Sequence, residues 1–268
     1  MRRHRRQNLL LAAALGVLVV ITWLVVAREQ AGLARLTTLD PAQITSLRVS
    51  AGATAARRFE RRDGRWWMSE PYSLPAHADA VARLVAIASA PTRSRHARDR
   101  FDPARIGLSP PQALLELDAL RLEFGTTEAI HGDRYVRTAD DIALMPDRFS
   151  SWLLAPAESE VDHRLAEPLQ KLAQVLVAGV ARPELATAWE RVTTSQVIAA
   201  EAIQGAGSAA IAVELVDVAG KRIGYTIRRR DDGRYLAIRS EPALAYPLEE
   251  HQMQLLLPAS TDTVNPPR

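Results

Sequence analysis

Apolar and polar positions follow distinct patterns along this chain, and each pattern predicts a different element. From Leu9 to Ala27 the sequence reads LLLAAALGVLVVITWLVVA, 19 residues without a charge. As a helix rising 1.5 Å per residue this run would span roughly 28 Å, about one hydrocarbon core. No face of it is polar, which argues against a buried core helix. Arg2, Arg3, Arg5 and Arg6 precede the run, whereas Arg28 and Glu29 follow it together. Positive-inside bias therefore puts the N-terminus in the cytoplasm and the remainder outside, with residues 9–27 as a single-pass transmembrane helix. The rival expectation is a cleaved signal peptide, with Val25 and Ala27 as the small residues before the cleavage site.

After the apolar run the pattern changes. Residues 28–43 lose apolar periodicity and carry the turn formers Thr37, Thr38, Asp40 and Pro41, which predicts a juxtamembrane linker. Ile44 to Val49 then alternates as a half-buried strand does. Arg57 to Arg62, the turn pair Asp63-Gly64, and Trp66 to Met68 complete a three-stranded antiparallel meander. Val81, Leu84, Val85 and Ala88 recur at helical spacing, so Ala78 to Ala88 is expected to be an amphipathic helix packed on the sheet, with Asp79 suiting its positive end. Ala113 to Phe124 reads as strands around Asp118-Ala119. Arg134 to Arg137 and Ile142 to Met145 are two more strands, and Phe149 to Leu154 is a short helix.

The pattern resumes with a strand at Val175 to Val180, a helix at Thr194 to Ile203 and strands at Ala210 to Val218, Arg222 to Arg229 and Tyr235 to Ile238. A helix at Leu248 to Leu257 closes it. The expected fold is α+β: antiparallel meanders packed with amphipathic helices, in a domain over 44–165 and a second unit over 166–257, followed by a disordered tail at 258–268. An internal echo links Arg61-Arg-Asp-Gly-Arg65 and Ser69-Glu-Pro71 with Arg230-Asp-Asp-Gly-Arg234 and Ser240-Glu-Pro242. A competing match pairs Arg134 through Leu154 with Arg234 through Leu257, so two related units are expected in a register left open.

Composition changes the picture chiefly by exclusion. The 268 residues contain no cysteine, which removes disulfides and thiolate chemistry. Taking the four arginines before the apolar run from the 34 basic residues leaves 30 against 31 acidic ones. The portion after the anchor is thus near neutral, which argues against nucleic acid as a partner. The 6 histidines show neither helical zinc-site spacing nor a deaminase pattern. Phosphate-binding glycine loops and marked serine nucleophiles are absent, and Gly205-Ala-Gly207 reads as a turn. The carboxylate pairs Asp140-Asp141, Asp231-Asp232 and Glu249-Glu250 fit turns or a solvated face better than acid/base pairs. No catalytic residue, cofactor or metal is therefore expected. Trp66, Trp67 and Tyr72 are the candidate partner or ligand surface. Adjacent residues of a strand face opposite ways, so one tryptophan should enter the core while the other meets a helix or solvent.

Ile44 to Leu154 resembles the family catalogued as domain of unknown function 4340. The matching elements are, in order, the opening strand, Asp63-Gly64-Arg65-Trp66, Glu70-Pro71, Ala78-Asp79, Gly107-Leu108-Ser109-Pro110-Pro111 and Arg134-Tyr135-Val136-Arg137. Ile106 departs from the aromatic residue usual before that Gly-Leu pair. The resemblance implies a single-anchor envelope protein of the bacterial inner membrane, its C-terminal domain in the periplasm, of a kind often encoded beside gliding-motility-type ABC transporter components. It brings no functional residues with it. The expected function is a non-catalytic membrane-anchored protein that binds a protein partner, auxiliary to an ABC-type transport complex. The alternatives are a carbohydrate-binding or carbohydrate-cleaving envelope protein, with Trp66 or Tyr72 as a stacking platform, and an envelope assembly factor.

Overall fold

A computed structural model of the chain describes residues 15–23, 34–167, 171–200 and 206–258. Residues 15–23 are helical with exposed side chains. Among the described residues no helix is long and apolar enough to cross a membrane. The remainder of the run expected to span one lies outside the described residues, as do residues 259–268 of the expected tail.

The fold is α+β, with two antiparallel sheets and few helices. The first sheet holds nine strands: β1 (Ser46–Ala51), β2 (Arg57–Arg62), β3 (Arg65–Glu70), β4 (Leu74–Pro75), β5 (Ser94–His96), β6 (Ala113–Leu117), β7 (Leu120–Thr127), β8 (Asp133–Arg137) and β9 (Ile142–Pro146), in the order β4-β3-β2-β1-β6-β7-β8-β9-β5. The second holds β10 (Leu172–Val177), β11 (Val180–Ala181), β12 (Ile198–Ala199), β13 (Ala206–Asp217), β14 (Arg222–Arg230), β15 (Tyr235–Arg239) and β16 (Leu244–Leu248), in the order β11-β10-β13-β14-β15-β16-β12. The outermost strands are short: β4, β11 and β12 have 2 residues each and β5 has 3. The helices are α1 (Ala78–Ala86), α2 (Ser150–Leu153), α3 (Ala186–Arg191) and α4 (Glu250–Leu256).

By its contacts the chain divides into two compact units. One comprises Met1–Ile44, Val85–Leu114 and Ala119–Ser150; the other comprises Thr45–Leu84, Leu115–Asp118 and Ser151–Arg268, so β6 contributes to both. In the first unit, period-2 alternation buries Leu122, Phe124, Val136, Ala143 and Met145 on one face, with Phe124 opposite Val136 and Val136 opposite Ala143. The other face buries Ile142 beneath Ile106 and Leu108, with Phe101 and Tyr135 packed alongside. Leu36, within the stretch read as a linker, is buried, and both the N–H and the hydroxyl of Thr37 donate to the Ala88 carbonyl.

In the second unit β1 to β4 form a meander that leads into α1, whose Val81 and Leu84 are fully buried. The strands β13 to β16 repeat that order and lead into α4. Trp189 of α3 anchors the second core, donating its indole N–H to the Leu256 carbonyl at 3.2 Å and packing on Tyr225.

Three local expectations fail for physical reasons. Thr194 to Ile203 is not a helix across its described part, because Ile198 and Ala199 pair with Ala245 and Leu244 as a strand. The helix lies earlier, where Pro183 opens a 3-10 turn that runs into α3. The strand expected to reach Val180 stops at Val177, since Ala178 and Gly179 take φ of 48° and 82° and turn the chain into a hairpin. Leu248 ends β16, and the closing helix starts only at Glu250, on a capping box between Glu249 and Gln252.

Candidate functional site

The site is built on the β2–β3 hairpin. Asp63 and Gly64 have φ of 49° and 77°, the two positive values that a two-residue turn of the I′ type requires and that an Asp-Gly pair supplies. The turn sets the register Arg62 opposite Arg65, Arg61 opposite Trp66 and Glu60 opposite Trp67. A second strand edge closes on it. Ala76 donates its N–H to the Trp66 carbonyl at 3.0 Å, and Pro75 stands opposite Trp67. On the other side of this segment the N–H of Asp162 reaches the Pro75 carbonyl at 2.9 Å and the N–H of His77 reaches the Glu160 carbonyl at 2.8 Å. These bonds draw residues 160–164 alongside residues 75–77, and Asp162 and Arg164 arrive beside the hairpin.

The result is a pocket of about 410 Å³. Its apolar lining comes from Trp66, Trp67, Pro75, Ala76 and Ala78, and its charged lining from Arg62, Arg65, Arg164, Asp63 and Asp162. Both indoles are half-buried. The expectation of a core tryptophan is not met, since neither ring is fully buried: Trp66 lies on the strand face of Met68, the fully buried side chain of β3, and Trp67 on the opposite face. The indole N–H of Trp67 is shielded and without an acceptor among the described residues. Tyr72 is not among the lining residues, and its hydroxyl is hydrogen-bonded to Glu158.

The cations of the pocket are unequally engaged. Arg62 holds Glu60 at 3.1 Å, and its guanidinium sits 5.4 Å from the centroid of the Trp67 ring. Arg164 approaches the Asp162 carboxylate only to 4.0 Å, and the same carboxylate already accepts the Arg164 backbone N–H at 3.0 Å. Arg65 is exposed and makes no ion pair among the described residues. Between the lining segments His77 and His163 pack ring on ring with centroids 4.5 Å apart. Burial, followed by the neighbouring His77, holds the His163 pKa below the usual histidine value.

Arg57 and Glu160, 2% and 3% exposed, pair at 2.5 Å, and Arg57 also donates to the Leu153 carbonyl. One oxygen of Glu160 has no hydrogen-bond partner among the described residues. Burial pushes the Glu160 pKa up to about 7 despite Arg57. In chemical terms the pocket is lined by tryptophan, guanidinium donors and carboxylate acceptors, a set suited to holding a ligand.

Elsewhere, ligand atoms of Glu128, His131 and Asp133 lie within 4.8 Å of one another. Asp133 is already bound by Arg93, and Glu128 accepts backbone N–H groups from Ile130 and His131, so the carboxylates serve the loop itself. Of the residues singled out in the sequence Trp66 and Trp67 line the pocket; Asp162 and Arg164 reach it from roughly a hundred residues away through backbone pairing that no local pattern announces.

No curated protein and no solved structure matches the chain. A family model described as "Domain of unknown function (DUF4340)" matches residues 66–235, more than half of the chain.

Proposed function

From the membership of this chain in the family described as a domain of unknown function (DUF4340), a description that assigns no chemistry, we propose a non-catalytic binding protein of the bacterial envelope. Residues 9–27 anchor it in the inner membrane, the C-terminal part lies in the periplasm, and the pocket at Trp66 and Trp67 takes a protein partner. The observation that carries this reading is the composition of the pocket. Two tryptophans and three arginines converge on one concavity, and Trp and Arg are the side chains most enriched where binding energy concentrates at protein interfaces. Anchoring supports it, since confinement to a membrane raises effective concentration and lets a modest interface suffice. An ABC-type transport complex is the partner suggested by the family resemblance.

The test is a photo-crosslinking amino acid in place of Ala78, an exposed residue of the pocket lining, in the full chain, in its own membrane at native expression. The expected result is capture of a defined protein, with transport components favoured. Capture of lipid alone, or nothing, would sink the reading. A second reading, saccharide binding, is favoured by the carboxylates Asp63 and Asp162 beside the indole faces, which would accept hydroxyl donors from a sugar ring stacked on a tryptophan. Binding of the full chain to neutral oligosaccharides, abolished by Trp67→Ala, would establish it.

A further inference from the structure

We infer that the Trp66–Trp67 pocket recognises an acidic segment of its partner, in which an apolar side chain enters against the indoles while a neighbouring carboxylate is held by Arg65 and Arg164. This rests on the proposed function and specifies the chemistry of the group bound.

The first argument is the placement of like charges. The hairpin register sets Arg62 directly opposite Arg65, and like charges opposed across a strand pair repel. Glu60 neutralises Arg62, but no carboxylate among the described residues pairs with Arg65. Among the lining side chains three arginines, Arg62, Arg65 and Arg164, stand against two aspartates, Asp63 and Asp162.

The second argument is unfinished bonding deeper in the pocket. Arg164 has its carboxylate neighbour at 4.0 Å, beyond hydrogen-bond reach, while that carboxylate accepts the Arg164 backbone N–H. A guanidinium carries five donors in a planar fork that matches a carboxylate. Two such forks line the same pocket as the two tryptophans and the small residues Ala76 and Ala78. An aliphatic or aromatic side chain flanked by Asp or Glu satisfies both the apolar lining and the open donors of Arg65 and Arg164; a neutral sugar satisfies the first and leaves Arg65 unanswered.

The test uses the full chain in a mild nonionic detergent and fluorescently labelled short peptides. One carries a leucine flanked by glutamates, and its twin carries glutamines instead. The acidic peptide is expected to bind about tenfold more tightly at low salt, with the advantage largely gone at high ionic strength. Arg65→Glu is expected to abolish the preference without unfolding the hairpin, since a carboxylate there would face Arg62. Arg228→Glu, the same charge change on an exposed position of β14, is expected to leave the preference intact.

Equal binding of the two peptides would overturn the acidic-segment inference and leave the partner-binding reading standing. Failure of both peptides, in a protein that crosslinks a partner through residue 78, would likewise overturn the inference alone. Failure of both together with tight binding of a neutral oligosaccharide would overturn the inference and the partner-binding reading at once.

Discussion

Two hairpins of this chain carry nearly the same words and use them differently. Arg61-Arg-Asp-Gly-Arg65 turns β2 into β3, and Arg230-Asp-Asp-Gly-Arg234 turns β14 into β15. Each places an arginine over an aromatic ring of the returning strand: Arg62 over Trp67 at 5.4 Å and Arg229 over Tyr235 at 5.8 Å. Each also buries one arginine on a glutamate, Arg57 on Glu160 and Arg239 on Glu167. The aspartate before the glycine makes the difference, because Asp63 makes no ion pair among the described residues whereas its counterpart does. Asp232 pairs with both Arg230 at 3.4 Å and Arg234 at 3.2 Å, and the Arg234 backbone N–H, with those cations, holds its pKa below the usual aspartate value. The second tip is neutralised within itself, whereas the first leaves Arg65 unpaired at the rim of a pocket.

The buried pairs differ in the same way. Each oxygen of Glu167 has a cation, Arg239 at 3.0 Å and Lys221 at 2.6 Å, while Glu160 has Arg57 alone and an oxygen with no hydrogen-bond partner among the described residues. The largest expected effect follows from this. Arg57→Met strands a buried carboxylate and should destabilise the chain by roughly 3–5 kcal/mol at pH 8 in urea unfolding, less at pH 5 where the carboxyl is protonated. Arg239→Met should lose clearly less, because Lys221 remains; equal losses would erase the distinction between the two hairpins.

Next comes pH. Glu160 titrates near 7 when folded and near 4.5 when unfolded. The folded chain therefore binds the extra proton between these values, and its stability is fully present below about 4.5 and declines as pH rises through 7. This one group should remove roughly 3 kcal/mol across that window, and Glu160→Gln should flatten the slope whatever it does to absolute stability. Gly64→Val, at a φ of 77°, should cost about 1–2 kcal/mol by forcing a β-branched residue into a left-handed turn. Smallest are Arg62→Gln and Arg229→Gln, each expected to cost about 0.5–1 kcal/mol through the lost ring contact; only the first should also weaken partner capture.

Much of the fold was legible where chemistry is local. Asp63-Gly64 and Asp118-Ala119 mark turns by residue type, and the strands beside them alternate cleanly, so β1, β2, β3, β6 and β7 were placed near their observed bounds. Legibility failed where a neighbour decides. Ile198–Ala199 is a strand because β16 lies beside it, and β16 itself contains Pro247, which disguises a strand. The apolar run through Ala178-Gly179 predicts strand, although both residues take positive φ. At the candidate site the indoles announced themselves by size and adjacency. The partners that turn them into a pocket arrive through the contact of residues 75–77 with residues 160–162, which is tertiary and silent in sequence.

The brevity of the outermost strands has a consequence of its own. A sheet grows onto a neighbouring molecule by offering a row of unpaired backbone groups along its edge. Here each edge is two or three residues long, and half of β4 is Pro75, which has no N–H to offer. A second molecule aligning along an outermost strand therefore meets no more than two or three backbone positions to pair with.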